Sequence, residues 1–129
     1  MKGYVGNIEQ ETLENEDFRR VLYTAKNIQL VLMSLPAGTD IGEETHHLDQ
    51  FIRCEEGEGK AFLDGVEQVL TDGMAVLVPA GTKHNIVNTS NNEALKLYTL
   101  YAPPEHKDKT VHATKEDAAE EHFDGVTTE

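Results

Sequence analysis

The chain has a single cysteine, few basic residues and no long apolar run, and each shortage narrows what it can be. Cys54 alone cannot form an internal disulfide, which fits a reducing compartment. Eleven Lys and Arg stand against 24 Asp and Glu, giving a formal net charge of −13 and a pI near 4.7. Nucleic acid and anionic membrane both require a basic footprint, so neither is an expected partner. The acidity instead implies a soluble, self-repelling surface. No window approaches the roughly 18 apolar residues of a spanning helix, and residues 1–18 contain no apolar stretch of the signal-peptide kind. The expected location is cytoplasmic. Internal repeats and low-complexity segments are also lacking.

What is there reads as one folded domain, residues 1–129. A chain of this length buries roughly two-thirds of its unfolded surface, and 38% hydrophobic residues is enough for a core rather than disorder. "TLENEDFRRVLYT" opens as a short helix with Thr12 as its cap. Beyond it, short apolar runs alternate with Gly, Pro and Asp turns: "RRVLYT", "IQLVLMSL", "DQFIRCEE", "GKAFL", "VEQVL", "MAVLV", "HNIVN" and "ALKLYTLYA". Asp64-Gly65 between two of these runs predicts a type I′ hairpin. Many short strands with little helical periodicity indicate an all-β sandwich, barrel or jelly roll. The core is expected over about residues 18–104. The acidic tail 105–129 contains "VHATKEDAAEEHFDG", Ala- and charge-rich with Thr114 and Asp117 in capping-box register, and predicts a terminal helix stopped by Gly125.

In "GEETHHLDQFIRCEEGEG" two histidines are adjacent. Neighbours in an extended segment point to opposite faces, so one of the pair turns inward. With Ile52 and Cys54 inward, the even positions share that face, and they include Glu44, His46 and Gln50. His47 looks away. A carboxylate, an imidazole and an amide oxygen are costly to bury without a common partner. A divalent cation satisfies all three, with His84 after the Pro79–Gly81 turn as a further donor.

Residues 73–88 fit the pattern G(X)5PXG(X)2H(X)3N at every fixed position, from Gly73 through Pro79, Gly81 and His84 to Asn88. This resembles the second motif of the cupin superfamily. The first cupin motif, G(X)5HXH(X)3,4E(X)6G, aligns its closing glycine on Gly57. It then places Gln50 where Glu is usual, His46 at the second His and Glu44 at the first. Fifteen residues lie between Gly57 and Gly73, a spacing like that of compact microbial cupins. The resemblance covers roughly residues 28–102 and selects His46 over His47 independently of parity. It implies a single-domain cupin double-stranded β-helix, a jelly-roll barrel, with a divalent metal ion (iron, manganese, nickel or zinc) in its mouth. The implied ligands are Glu44, His46, Gln50 and His84. The departures at positions 44 and 50 leave two His, one carboxylate and a neutral amide, similar to a 2-His-1-carboxylate set.

The resemblance further implies a homodimer and a small-molecule ligand or substrate, with Phe51 on an outer face as an interface contributor. Two functional classes follow. One is a metal-dependent enzyme of dioxygenase or isomerase type on a small oxygen-rich substrate, with Glu44 as general base where it is not a ligand. The other is a non-catalytic module that binds or senses a small ligand. Cys54 reads as a core residue, Tyr98 and Tyr101 as strand packing, and Asn88 as a turn stabiliser. Lys83 and Arg53 are candidate anion contacts, and His106, His112 and His122 are expected to be solvated.

Overall fold

The computed structural model describes residues 2–119 and 121–129. One short helix, α1 (Ile8–Glu14), precedes nine strands: β1 (Arg19–Thr24), β2 (Gln29–Leu35), β3 (Asp49–Glu56), β4 (Glu58–Leu63), β5 (Val66–Thr71), β6 (Ala75–Val78), β7 (His84–Asn88), β8 (Leu95–Ala102) and β9 (Val111–His112). They form a six-stranded sheet in the order β6-β3-β8-β2-β1-β9 and a three-stranded sheet in the order β5-β4-β7, with antiparallel pairing throughout. This is the jelly-roll arrangement that the sequence predicts.

Period-two patterning decides which side chains fill the space between the sheets. From Glu44 to Cys54 the even positions are the more buried ones, and Ile52 and Cys54 reach 1% and 0% exposure. Strand β2 departs from alternation and is almost wholly buried, because α1 packs over β2, β3 and β8 on the outer side. Val31, Met33 and Leu35 from β2 join Ile52, Leu97 and Ile86 in the core.

Turn chemistry fixes the register. Asp64 and Gly65 have φ of 47° and 82°, both positive as a type I′ hairpin demands. At the β3–β4 turn Gly57 has φ 111°, and a side chain there would place its Cβ 2.8 Å from the carbonyl oxygen of Ala94. Asn88, 1% exposed, closes the other end of the barrel. Its Nδ2 donates to the carbonyls of Leu35, Pro36 and Glu93, and its Oδ1 accepts from the Ser90 N–H.

Two expectations fail. The helix starts earlier than Thr12: Asn7 is the cap, accepting from the Gln10 N–H at 3.1 Å. Thr12 instead lies inside the helix, fully buried, with its hydroxyl donating to the Ile8 carbonyl. The tail is not a helix. Among its described residues the helical structure is a single 3-10 turn, Lys115–Asp117, with Asp117 Oδ2 accepting from the Thr114 N–H. Of the predicted helical segment, Glu120 lies outside the described residues.

Tertiary partners explain the difference. Val111–His112 adds to the sheet beside β1, the Phe123 N–H donates to the Glu105 carbonyl, and Thr128 bonds Thr24 through both backbone and side chain. These bonds replace the ones that a helix would supply.

Removing the Asn88 amide leaves buried carbonyls unpaired. Asn88→Ala is therefore expected to lower unfolding free energy by about 2–3 kcal/mol in urea titrations. A loss below about 0.5 kcal/mol would remove Asn88 from the framework.

Candidate functional site

The two motif segments are laced together by their backbones. Glu44 and His84 form an isolated antiparallel bridge, each N–H donating to the other's carbonyl at 2.9 Å. The Gly81 N–H donates to the His46 carbonyl at 2.8 Å, and the Ala80 N–H to Asp49 Oδ1 at 2.9 Å. Gly81 makes that approach with φ 85°, a conformation suited to glycine. The Pro79–Gly81 turn thus sets His84 on its strand and anchors the segment that carries His46.

The side chains meet at the barrel mouth. The rings of His46 and His84 lie 5.3 Å apart between centroids, tilted by 53°. His46 is mostly buried while His47 is exposed, the opposite-face arrangement that parity predicts. His46 Nε2 is 3.3 Å from Glu44 Oε2, and its Nδ1 is 3.7 Å from Glu105 Oε2. His84 Nδ1 donates to the Thr82 carbonyl at 2.9 Å, so Nε2 is the ring nitrogen left to accept a ligand. Gln50, 4% exposed, lies opposite Tyr101 on β8 and donates from Nε2 to Thr99 Oγ1. Its Oε1 is buried with no hydrogen-bond partner. Tyr101 meets His46 edge-on at 6.0 Å and His106 edge-on at 5.1 Å.

Burial governs the electrostatics. Desolvation raises the Glu44 pKa, opposed by Arg19 and His84. Desolvation also lowers the His46 pKa, with Glu105 acting against it and His84 and Arg19 adding to it. The neutral His46 ring carries only one N–H yet faces a carboxylate at each nitrogen. One of those carboxylates must then face a lone pair unless a cation lies between them.

A cleft of about 430 Å³ opens in front of His46. Glu44 and His46 line it together with Arg19 from β1 and with Glu105, His106 and His122 from the chain after β8. Four of these residues, Arg19, Glu105, His106 and His122, carry no motif signal. Arg19 follows the parity of Val21 within "RRVLYT", and that parity is the one signal that could have found it. His106 and His112 were expected in solvent and are instead 9% and 8% exposed. Both sit under long-range contacts of the tail: Glu105 and His106 donate backbone N–H groups to Gln29 Oε1, and His112 pairs across from Arg19. His122 is exposed as expected. Lys83 pairs with Glu43 and Arg53 with Glu55, so the two candidate anion contacts have partners elsewhere.

The residues present fit a divalent ion by chemistry: two imidazoles, one carboxylate and an orphaned buried amide oxygen form an N/O set. Among the described residues no three or more His, Cys, Asp or Glu side chains converge closely enough to hold an ion as they stand. Glu44, His46 and His84 would need rotamer adjustment to close around one.

The sequence profile of the cupin domain matches residues 31–101. The chain belongs to the cupin family. It is similar to the Bacillus subtilis protein YrkC, 48% identical over 91% of this chain and 66% of that protein. A protein of Acanthamoeba polyphaga mimivirus is 48% identical over 80% of this chain and 67% of its own length. The chain therefore spans about two thirds of the curated relatives it matches. A crystal structure from Bacillus halodurans superposes with a TM-score of 0.87 at 47% identity, covering 90% of this cupin and 92% of that chain.

Burial lowers the His106 pKa to about 3, with Arg19 and His46 adding to the effect. The unfolded imidazole takes up a proton near pH 6.5, the folded one only near 3, so this cupin loses stability as pH falls through that window. His106→Gln is expected to flatten that dependence, read from urea midpoints at pH 7, 6 and 5. An unchanged slope would place the proton uptake elsewhere.

Proposed function

We propose that this cupin binds one divalent metal ion at the barrel mouth and acts as a metal-dependent enzyme on a small oxygen-rich substrate, by dioxygenase or isomerase chemistry. The observation that carries the reading is His46, a ring that burial keeps neutral, held between the carboxylates of Glu44 and Glu105. The neighbouring donors support it: the Nε2 of His84 and the unpartnered Oε1 of Gln50.

His46 and His84 would hold the ion, Glu44 would supply its charge, and Gln50 would add a weak neutral oxygen. When bound, the ion supplies Lewis acidity and open coordination positions for substrate oxygens. The chain does the rest. Thr82 fixes the His84 tautomer, and Glu105, 3.7 Å from His46 Nδ1, favours a proton on that nitrogen electrostatically, which leaves Nε2 for the ion. Glu44, whose pKa is raised by burial, serves as general base where it is not a ligand. Desolvation keeps the buried Tyr101 hydroxyl protonated.

Metal content by mass spectrometry tests the ion. About one metal per chain is expected in wild type and in His47→Ala, and little in His46→Ala or His84→Ala. Metal-free wild type after incubation with iron, manganese, nickel and zinc would overturn the reading. Turnover then separates an enzyme from a ligand-sensing module: a metal-dependent product from a screen of small acids and sugars supports catalysis. Saturable binding without product would replace it with the sensing role.

A homodimer is part of the same proposal. Leu77 and Val69 are 65% and 60% exposed on edge strands β6 and β5, where they border an apolar groove with Met74. Phe51, which β-pairing sets beside Leu77, is half-buried against Tyr98. Leu77→Lys should convert a dimer to monomer in sedimentation velocity; a wild type that is monomeric at micromolar concentration would refute the pairing.

A further inference from the structure

Arg19 is the feature that neither the motifs nor the ion explain. Its side chain points inward from β1 and is 7% exposed, while its neighbour Arg20 is exposed. One guanidinium nitrogen, Nη1, donates to His112 Nδ1 at 3.3 Å, and the group lies over the Phe18 ring, 5.2 Å from its centroid. The Nε–H is buried without a partner, and among the described residues no carboxylate forms an ion pair with this guanidinium. It lines the same cleft as Glu44 and His46. A cation so buried is expensive to keep, and its two direct contacts, an imidazole lone pair and an aromatic face, are neutral; the Glu44 carboxylate acts on it through space without an ion-pair contact. A second unpartnered polar atom lies in the same wall. His106 Nε2 is buried and unsatisfied, and His106 also lines the cleft.

We infer that Arg19 is the anchor for the carboxylate of a small organic acid, whose second oxygen function reaches His106 and the inner end of the cleft. The inference rests on the metal reading above and adds to it the class of substrate. The guanidinium fork matches a carboxylate in two parallel hydrogen bonds, which a lysine does not reproduce. Charge at the inner end favours a monoanion. Arg19 and a divalent ion there outweigh the carboxylates of Glu44 and Glu105, whereas without the ion those two outweigh Arg19. Glu105 is already engaged by His46 and His122, and Glu121 lines the cleft as well, so an acid with a second charge would meet repulsion. The cleft volume of about 430 Å³ suits a molecule of a few heavy atoms with its water.

The test is calorimetric titration of the zinc-loaded protein with lactate, glycolate and pyruvate, with lactamide as the uncharged counterpart of lactate. Metal content is measured on every sample. At least one acid is expected to bind and lactamide not to. Arg19→Gln should weaken the acid by about thirtyfold with metal content unchanged, and Arg19→Lys should recover part of the loss. Binding of none of the three acids, equal binding of lactate and lactamide, or wild-type affinity in Arg19→Gln would each overturn the assignment. Should Arg19→Gln not fold, judged by circular dichroism, the comparison of lactate with lactamide on wild type decides. A wild type that takes up no zinc defeats the metal reading separately. The same titrations on metal-free protein then decide Arg19 alone: acid binding lost in Arg19→Gln keeps the anchor, and no binding removes it.

Discussion

Two reciprocal backbone hydrogen bonds, between Glu44 and His84, hold the mouth of this barrel together. Glu44 lies outside the named strands, and His84 is in the last pair of the β4–β7 ladder. Glu44 precedes β3 by several residues, and His84 is the first residue of β7, so the bridge is where two otherwise separate segments are forced to share a face. Everything chemical in the site hangs from it. The bridge sets the Glu44 carboxylate beside the His46 ring, and the Gly81 N–H on the His46 carbonyl prevents the segment from slipping by one residue. A slip of that kind would exchange His46 for His47 and turn the site inside out.

The same region concentrates the costs of burial. A half-buried carboxylate, three imidazoles, an amide oxygen and a guanidinium Nε lie in and beside one cleft, and several of their polar atoms lack partners. Elsewhere the barrel is orthodox: an apolar interior between two sheets, a glycine-mediated hairpin and an asparagine that bonds four backbone groups. Local rules are obeyed through the scaffold and violated at the mouth, the distribution expected where unsatisfied groups await a ligand.

Period two and turn chemistry made the barrel legible in the sequence. Asp64-Gly65 announces its hairpin because only a few residues tolerate positive φ twice in succession. The alternation from Glu44 to Cys54 survives because one face is consistently the more buried, fully so from Leu48 onward. What escaped was set by distant contacts. The Ala- and charge-rich tail has helix-forming composition, yet pairing with β1 and bonds to Thr24 hold it extended. His106 and His112 read as solvated from their acidic neighbours, and only the fold reveals that the tail packs inward. Arg19 was missed for a different reason. Its parity was available, but a charge on the apolar face of a strand carries no motif and passes for the end of a run.

The cleft is built from two kinds of chain. Glu44 and His46, with Gln50 and His84 beside them, fall inside the stretch matched by the cupin profile, residues 31–101, while Arg19, Glu105, His106 and His122 fall outside it. The division runs through the middle of the site: one part belongs to the shared barrel, the other to segments appended before and after it. On the proposed reading, the ion and the choice of ligand would fall on separately replaceable parts. A lineage could exchange the appended part, and with it the molecule admitted, while the barrel part kept its donors in register.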